Sequence, residues 1–450
     1  MPDAAVFDRL HRAVDAGFGQ QTAFLADLVR FPSIRGQEAP LQDWIARQLA
    51  GRGYVVDRYT LADVEMSNLP GFSPVVDTDY SRALQVVGTR RAAAPTGRSL
   101  IIQGHVDVVP TGPAEMWSTP PYEPAVHGEW LHGRGAGDMK QGVSAMVFAL
   151  DAIRSAGLEP AGDICVQSVT EEECTGNGAL STLARGYRAD AVLIPEPTAG
   201  TITRAHVGVM WFRLRVRGIP VHVAHAQSGT NAIMSAMQLI LALQRHTEAL
   251  NEAARSDPWF GDIADPIKFN PGVIRGGDWA SSTPAWCEVD CRIGLLPDTT
   301  LEEARAGVQR CVEDAARGDG FMANNPPDIV WNGFQADGYV LQPGSDAENV
   351  LAAAHEQVFG TPMEERRTTG VNDTRFYGRY YRMPSLCYGP RGENHHGFDE
   401  RAHLPTLKQV TLSIACFIAD WCGVREAPDT LTSRSRCRAP ADLQPDGRHY

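Results

Sequence analysis

The sequence predicts an α/β protein interrupted by an inserted α+β segment. Three observations carry this reading. Short apolar, β-branched runs alternate with stretches of helical periodicity on both sides of the insertion. Four of those runs lead directly into His, Asp or Glu. Between about Val207 and Tyr339 the pattern changes to alternating strands that enclose two helical stretches. At 450 residues the chain is too long for one ordinary core, which also favours two domains.

Taken in order, residues 5–30 place Phe7, Leu10, Val14, Phe24, Leu25 and Leu28 at helical spacing, and Phe31-Pro32-Ser33 stops that helix. A second helix starts at 41–49. Residues 54–59 and 84–88 read as strands, with a Pro/Gly-rich loop over 69–79 between them. Residues 99–103 (SLIIQ) form a buried strand that ends in His105-Val106-Asp107. A Pro-rich excursion over 110–124 follows. Gly133 to Gly142 (GRGAGDMKQG) then opens a helix marked by Val143, Met146, Val147, Leu150 and Ile153. The strand at 163–169 runs into Glu171-Glu172-Glu173, and the one at 189–194 into Pro195-Glu196-Pro197. The strand at 384–388 leads to His395-His396. Inside the insertion, strands are expected at 209–216, 285–292 and 329–331, and helices at 231–253 and 301–316. The tail over 425–450 is rich in Arg, Asp, Pro, Ser and Thr and is expected to be disordered.

The net charge of -13 leaves no basic surplus to neutralise phosphates, so neither nucleic acid nor an anionic membrane is an expected partner. No run approaches a membrane span. Asp3, Asp8 and Asp15 interrupt the N-terminal stretch, so no signal peptide is expected. Nine cysteines without a C-x-x-C pair suit free thiols in a reducing compartment, and the expected location is the cytoplasm.

His105 lies just past a strand end and Asp138 lies in a glycine-rich turn opening a helix. Imidazole with carboxylate is a donor set for a divalent ion such as zinc. In open α/β sheets, sites form beyond the carboxyl ends of the strands, where the Glu cluster, Glu196 and the His pair also fall. Blander readings compete at each position. His105 alone suits a satisfied strand-end histidine, and Asp138 alone a solvated turn. Three consecutive glutamates normally mark a solvated run, yet here a buried strand precedes them directly. A dinucleotide fingerprint fails because Asp138 stands where its third glycine belongs.

The motifs GHVDVVP, GRGAGDMKQG, TEEECTGNG, PEPT and HHGFDE, in this order, resemble the acetylornithine deacetylase / succinyl-diaminopimelate desuccinylase / aminoacylase / glutamate carboxypeptidase family of dizinc amidohydrolases. The match runs to about residue 423. The resemblance implies a mixed-sheet, zinc-exopeptidase-like catalytic domain over 1–206 and 340–424, with an inserted dimerisation or lid domain over 207–339. It implies two divalent ions, zinc with cobalt or manganese as tolerated alternatives. Asp138 would bridge them, with His105 and Glu196 on one ion and Glu173 and His396 on the other. Asp107 would orient His105, and Glu172 would be the general base. A register shifted to Glu171/Glu172 stays open, while Gly178 favours Glu172/Glu173. Asp399-Glu400 selects His396 over His395. A cis peptide is expected at Asp138–Met139.

In the insertion, Val216-Arg217-Gly218-x-x-x-His222 resembles the family's dimer signature, whose histidine enters the partner subunit's site and helps bind the developing oxyanion. Arg292 corresponds to an arginine that grips a substrate carboxylate. The 371–376 loop, with Asn372 and Arg375, resembles the substrate side only approximately, and Ser281-Ser282-Thr283-Pro284 replaces an Asn-containing turn. The expected function is a homodimeric hydrolase that cleaves the amide of an N-acyl-amino acid. The alternative is a dipeptidase or carboxypeptidase using the same site. A catalytically silent metal-binding regulator is disfavoured by Glu172, and a nucleotide-dependent oxidoreductase by the broken glycine pattern.

Overall fold

The computed structural model describes residues 3–427. A six-stranded sheet runs in the order Val55–Thr60, Leu84–Arg90, Ile164–Val169, Leu100–His105, Ala191–Ile194, Ser385–Cys387. The first two pairings are antiparallel and the remaining three are parallel. The last four strands are therefore mutually parallel neighbours, and their carboxyl ends lie along one edge.

Both faces of this sheet are buried, which is why its strands read as continuous apolar runs. Leu100 and Ile102 face a core built with the helices Ala4–Val29, Gln141–Ser155, Asp346–Phe359 and Leu404–Trp421. Ile101, Val192 and Ile194 face the other side, against the helix Asn177–Ala184 and Phe376. Among the described residues, no helix is long and apolar enough to cross a membrane. The eight cysteines among them are unpaired.

A second, fully antiparallel sheet has the order Phe269–Gly276, Trp286–Leu295, Gly208–Arg217, Asp328–Ala336. Its helices, Ala232–Ala254 and Leu301–Arg317, cover one face through Met210, Phe212, Leu214, Val289 and Ile293. Asn231 caps the first by accepting from the N–H groups of Ile233 and Met234. Thr300 and Glu303 form a capping box on the second. The edge strand Phe269–Gly276 escaped the sequence reading because Pro271 and Gly272 interrupt its pattern; both are tolerated at an edge.

The expected disorder of 425–450 is corrected at its start. Val424–Glu426 pairs antiparallel with Leu158–Pro160, and Arg425 bonds Glu159. The rest of that stretch, 428–450, lies outside the described residues.

Candidate metal centre

The carboxyl edge of the four parallel strands gathers the chemistry. His105 ends its strand 1% exposed, and its Nε2 lies 3.3 Å from Asp138 Oδ1. Glu196 Oε1 and Glu172 Oε2 stand 3.8 and 3.9 Å from the same nitrogen. The second oxygen of Asp138 lies 3.6 Å from His396 Nε2, which is 3.1 Å from Glu173 Oε2. Asp138 thus offers one oxygen to each histidine. The Asp138–Met139 peptide is cis. Glu171 turns away and is spent on Arg35 Nη2 at 2.8 Å, Tyr80 Oη at 2.9 Å and Thr175 Oγ1 at 3.0 Å. The glutamates that reach the cluster are Glu172 and Glu173.

Donors on one tetrahedral ion with bonds of 2.0–2.2 Å stand about 3.3–3.5 Å apart, comparable with the separations here. Single donor atoms of His105, Asp138 and Glu173 fall within 4.8 Å of one another. Four carboxylates face two imidazoles. Among the described residues, no Lys or Arg forms an ion pair with any of the four. Burial, reinforced by Asp373 and neighbouring glutamates, pushes Glu172 well above the usual carboxylate range, and Glu196 behaves likewise. Burial opposes ionisation of Asp138 too, but its bonds to His105 and His396 outweigh it and hold it well below. The Glu173 charge, with Asp138, raises His396 to about 11. A cluster so poor in fixed positive charge fits divalent cations.

Asp107 reaches His105 differently from the sequence expectation. Its backbone carbonyl, not its carboxylate, meets Nδ1 at 3.0 Å, with carboxylate Oδ1 at 3.6 Å. Oδ2 instead accepts the Glu173 N–H at 3.0 Å, tying two ligand-bearing loops together.

Sequence reasoning missed what Glu400 does. This side chain is 1% exposed and accepts from the N–H groups of Gly135, Gly137 and Asp138 at 2.9, 3.0 and 2.9 Å, and from Arg134 Nη1 at 2.6 Å. One carboxylate therefore gathers the turn that presents Asp138. Its neighbour Asp399 takes Ser118 N and Oγ, both at 2.8 Å. The sequence marks Glu400 only as part of the pair that selects His396, because its bonding partners lie far away in the chain.

A cavity of about 410 Å³ opens over the cluster. Arg292 and Asn372 line it. Arg292 Nη2 donates to Thr369 O at 3.1 Å. Arg375 must be corrected. It is fully buried outside the lining, donates to the carbonyls of Asn372 and Thr175 at 3.0 and 3.1 Å, and stacks on Phe376. Its Nε has no acceptor among the described residues, but full burial away from the cavity keeps it from substrate, and its bonds shape the loop instead. His222 is exposed and is not part of the lining; its Nδ1 accepts from Ala224 N–H at 3.1 Å. His395 lines the cavity beside His396.

A model of peptidase family M20/M25/M40 matches residues 101–420. The chain belongs to this family. As an M20-family protein it is a metallopeptidase-type enzyme that hydrolyses amide bonds. It is 29% identical over 445 residues to the N-formyl-4-amino-5-aminomethyl-2-methylpyrimidine deformylase of Halalkalibacterium halodurans, covering 94% of this chain and 99% of that one. It is 30% identical over 396 residues to a succinyl-diaminopimelate desuccinylase of Rhodopseudomonas palustris (strain BisA53), covering 86% and 94%. Its fold resembles that of a di-peptidase from Saccharomyces cerevisiae, with a TM-score of 0.76 at 16% identity over 93% of this chain and 99% of the other. An M20 protein of Bacillus subtilis, described as a dinuclear metal binding peptidase, gives a TM-score of 0.56 at 16% identity, covering 90% and 98%.

Proposed function

We propose that this M20-family enzyme is a cytoplasmic dizinc deacylase that releases an amino acid from its N-acyl derivative. The observation that carries the reading is the placing of Asp138 between His105 and His396, with Glu172 beside them and Arg292 on the same cavity wall. In this reading Asp138, His105 and Glu196 would hold one ion, and Asp138, Glu173 and His396 would hold the other. Bound cations of this kind acidify a water and polarise a carbonyl. Glu172 takes the water's proton and passes it to the leaving nitrogen. Arg292 holds the substrate carboxylate with a planar guanidinium, and Asn372 adds a hydrogen-bonding group to the same cavity lining. Residues 207–339 act as a lid that also forms the homodimer.

Two relatives are named for removing N-formyl and N-succinyl groups, which supports an N-acyl linkage. The dipeptidase reading draws on the structural neighbours. Amine release from N-acetyl, N-succinyl and N-formyl amino acids and from dipeptides, assayed with ninhydrin, separates the two. Faster release from N-acyl amino acids is expected; turnover of dipeptides alone overturns the deacylase assignment. Removing the metal with a chelator should abolish activity, and adding zinc should restore it with close to two ions bound per chain. An active, metal-free preparation would end this mechanism.

Glu400→Gln swaps an acceptor for a donor that faces N–H groups. It is expected to weaken metal binding about 10–100-fold, the usual effect of losing a group that orients ligands. Competition against a chromophoric chelator measures this, with Asp399→Asn as the neighbouring control.

A further inference from the structure

The second sheet turns its helix-free face towards the cavity, and two residues on that face are direct cross-strand partners. Trp211 lies on Gly208–Arg217 and Arg292 opposite it on Trp286–Leu295. Residues paired in this way hold their Cβ atoms about 4.5–5.5 Å apart on one side of the sheet. Both line the cavity that contains Asp138 and Glu172.

Around Trp211 the wall is apolar. Val209, Phe334 and Val371 pack with it and share the lining. The Phe334 ring meets the indole edge-on, with centroids 5.3 Å apart and planes at 83°. Behind the indole sits Gly333 at φ +83°, where a Cβ would stand 2.5 Å from the ring. The absence of a side chain there lets the ring lie against the backbone, so it is supported from behind. The indole N–H is buried and has no acceptor among the described residues. Arg292, beside it, forms no ion pair with any described carboxylate and bonds only a backbone carbonyl.

An α-amino acid carries its carboxylate and its side chain on one carbon, separated by a few ångströms. The Arg292–Trp211 pair offers a guanidinium and a flat apolar surface from facing positions on neighbouring strands, both lining one cavity. We propose that this pair reads the amino-acid half of the substrate. Arg292 takes the α-carboxylate, and the wall of Trp211, Phe334 and Val371 takes the side chain. The preferred substrate is then an N-acylated aromatic or large apolar α-amino acid. A methyl side chain would leave the wall uncovered, and a charged one would meet no partner on it. The inference rests on the amide-hydrolase reading above and narrows it to a substrate class.

The test uses the full-length, metal-replete protein with N-acetyl-phenylalanine, N-acetyl-alanine, N-acetyl-aspartate and N-acetyl-phenylalaninamide. The expected kcat/KM for the phenylalanine derivative exceeds those for alanine and aspartate by at least ~10-fold, in line with the discrimination an apolar pocket gives. Loss of the carboxylate in the amide should lower kcat/KM by at least ~10-fold, because Arg292 is left unpaired. In Trp211→Ala the phenylalanine-to-alanine ratio should fall at least ~10-fold. Trp211→Leu keeps apolar packing should the alanine variant fail to fold, and should lower the ratio at least ~3-fold. A parent ratio below ~3, a ratio unchanged in a folded variant, or equal turnover of acid and amide overturns the inference. Release of amine from none of the panel, nor from the N-succinyl and N-formyl counterparts, by metal-loaded protein brings down the deacylase reading, and the inference with it. A failure of the narrower claim alone looks different, since turnover continues without preference.

Discussion

Glu172→Gln should lower kcat about 10²–10⁴-fold while the metal content stays that of the parent. The substitution is isosteric and removes the proton acceptor proposed for the attacking water, leaving every proposed ligand in place. The adjacent Glu171→Gln should do something quite different. Its carboxylate is 1% exposed and paired with Arg35, so losing the charge leaves a guanidinium, only 25% exposed, with the longer 3.9 Å contact to Asp77 as its remaining ion pair. Breaking a buried pair costs ~3–5 kcal/mol, and the partial exposure of Arg35 places this one at the lower end. Thermal unfolding should therefore report Glu171→Gln, and steady-state kinetics with metal analysis should report Glu172→Gln. If Glu172→Gln loses an ion instead, the base has been assigned to the wrong glutamate.

His222→Ala should be nearly inactive, losing the ~3–4 kcal/mol that one oxyanion donor supplies in a water-poor site. Within its own chain His222 is exposed and outside the cavity lining, so the proposed role requires the site of a second subunit. Glu172→Gln is expected to be inactive for an independent reason. Mixed and allowed to exchange subunits, the two variants should regain activity, because each heterodimer contains one site with both groups intact. Differently tagged chains establish that exchange has occurred. Heterodimers that form and stay inactive would remove His222 from the mechanism.

The meeting of His105, Glu172, Glu173, Glu196 and His396 was legible because each lies beyond the end of an apolar strand, so the parallel sheet aligns what the sequence already pairs locally. The choice among Glu171, Glu172 and Glu173 was less so, since consecutive residues differ in direction and only the fold supplies Arg35 and Tyr80 to claim the first. Arg375 misled for a related reason. A guanidinium next to a cavity loop reads as a ligand grip, but it is buried against the Asp373 carboxylate and bonds backbone carbonyls, which leave no trace in the sequence. The cross-strand meeting of Trp211 and Arg292 depends on register between distant segments and was equally invisible.

The position of Ser385–Cys387 has a consequence for how the chain emerges during synthesis. This strand closes the sheet against Ala191–Ile194, and the loops after it carry His396 and Glu400. A ribosome adding about 5–20 residues per second makes the insertion before it reaches that point. Until then Ala191–Ile194 is a bare sheet edge, and the turn around Asp138 lacks the carboxylate that gathers it. Exposed edges invite pairing with other chains. Nascent or prematurely terminated chains that stop inside or just after the insertion should therefore be prone to aggregate and unable to hold metal, however well the insertion itself has folded.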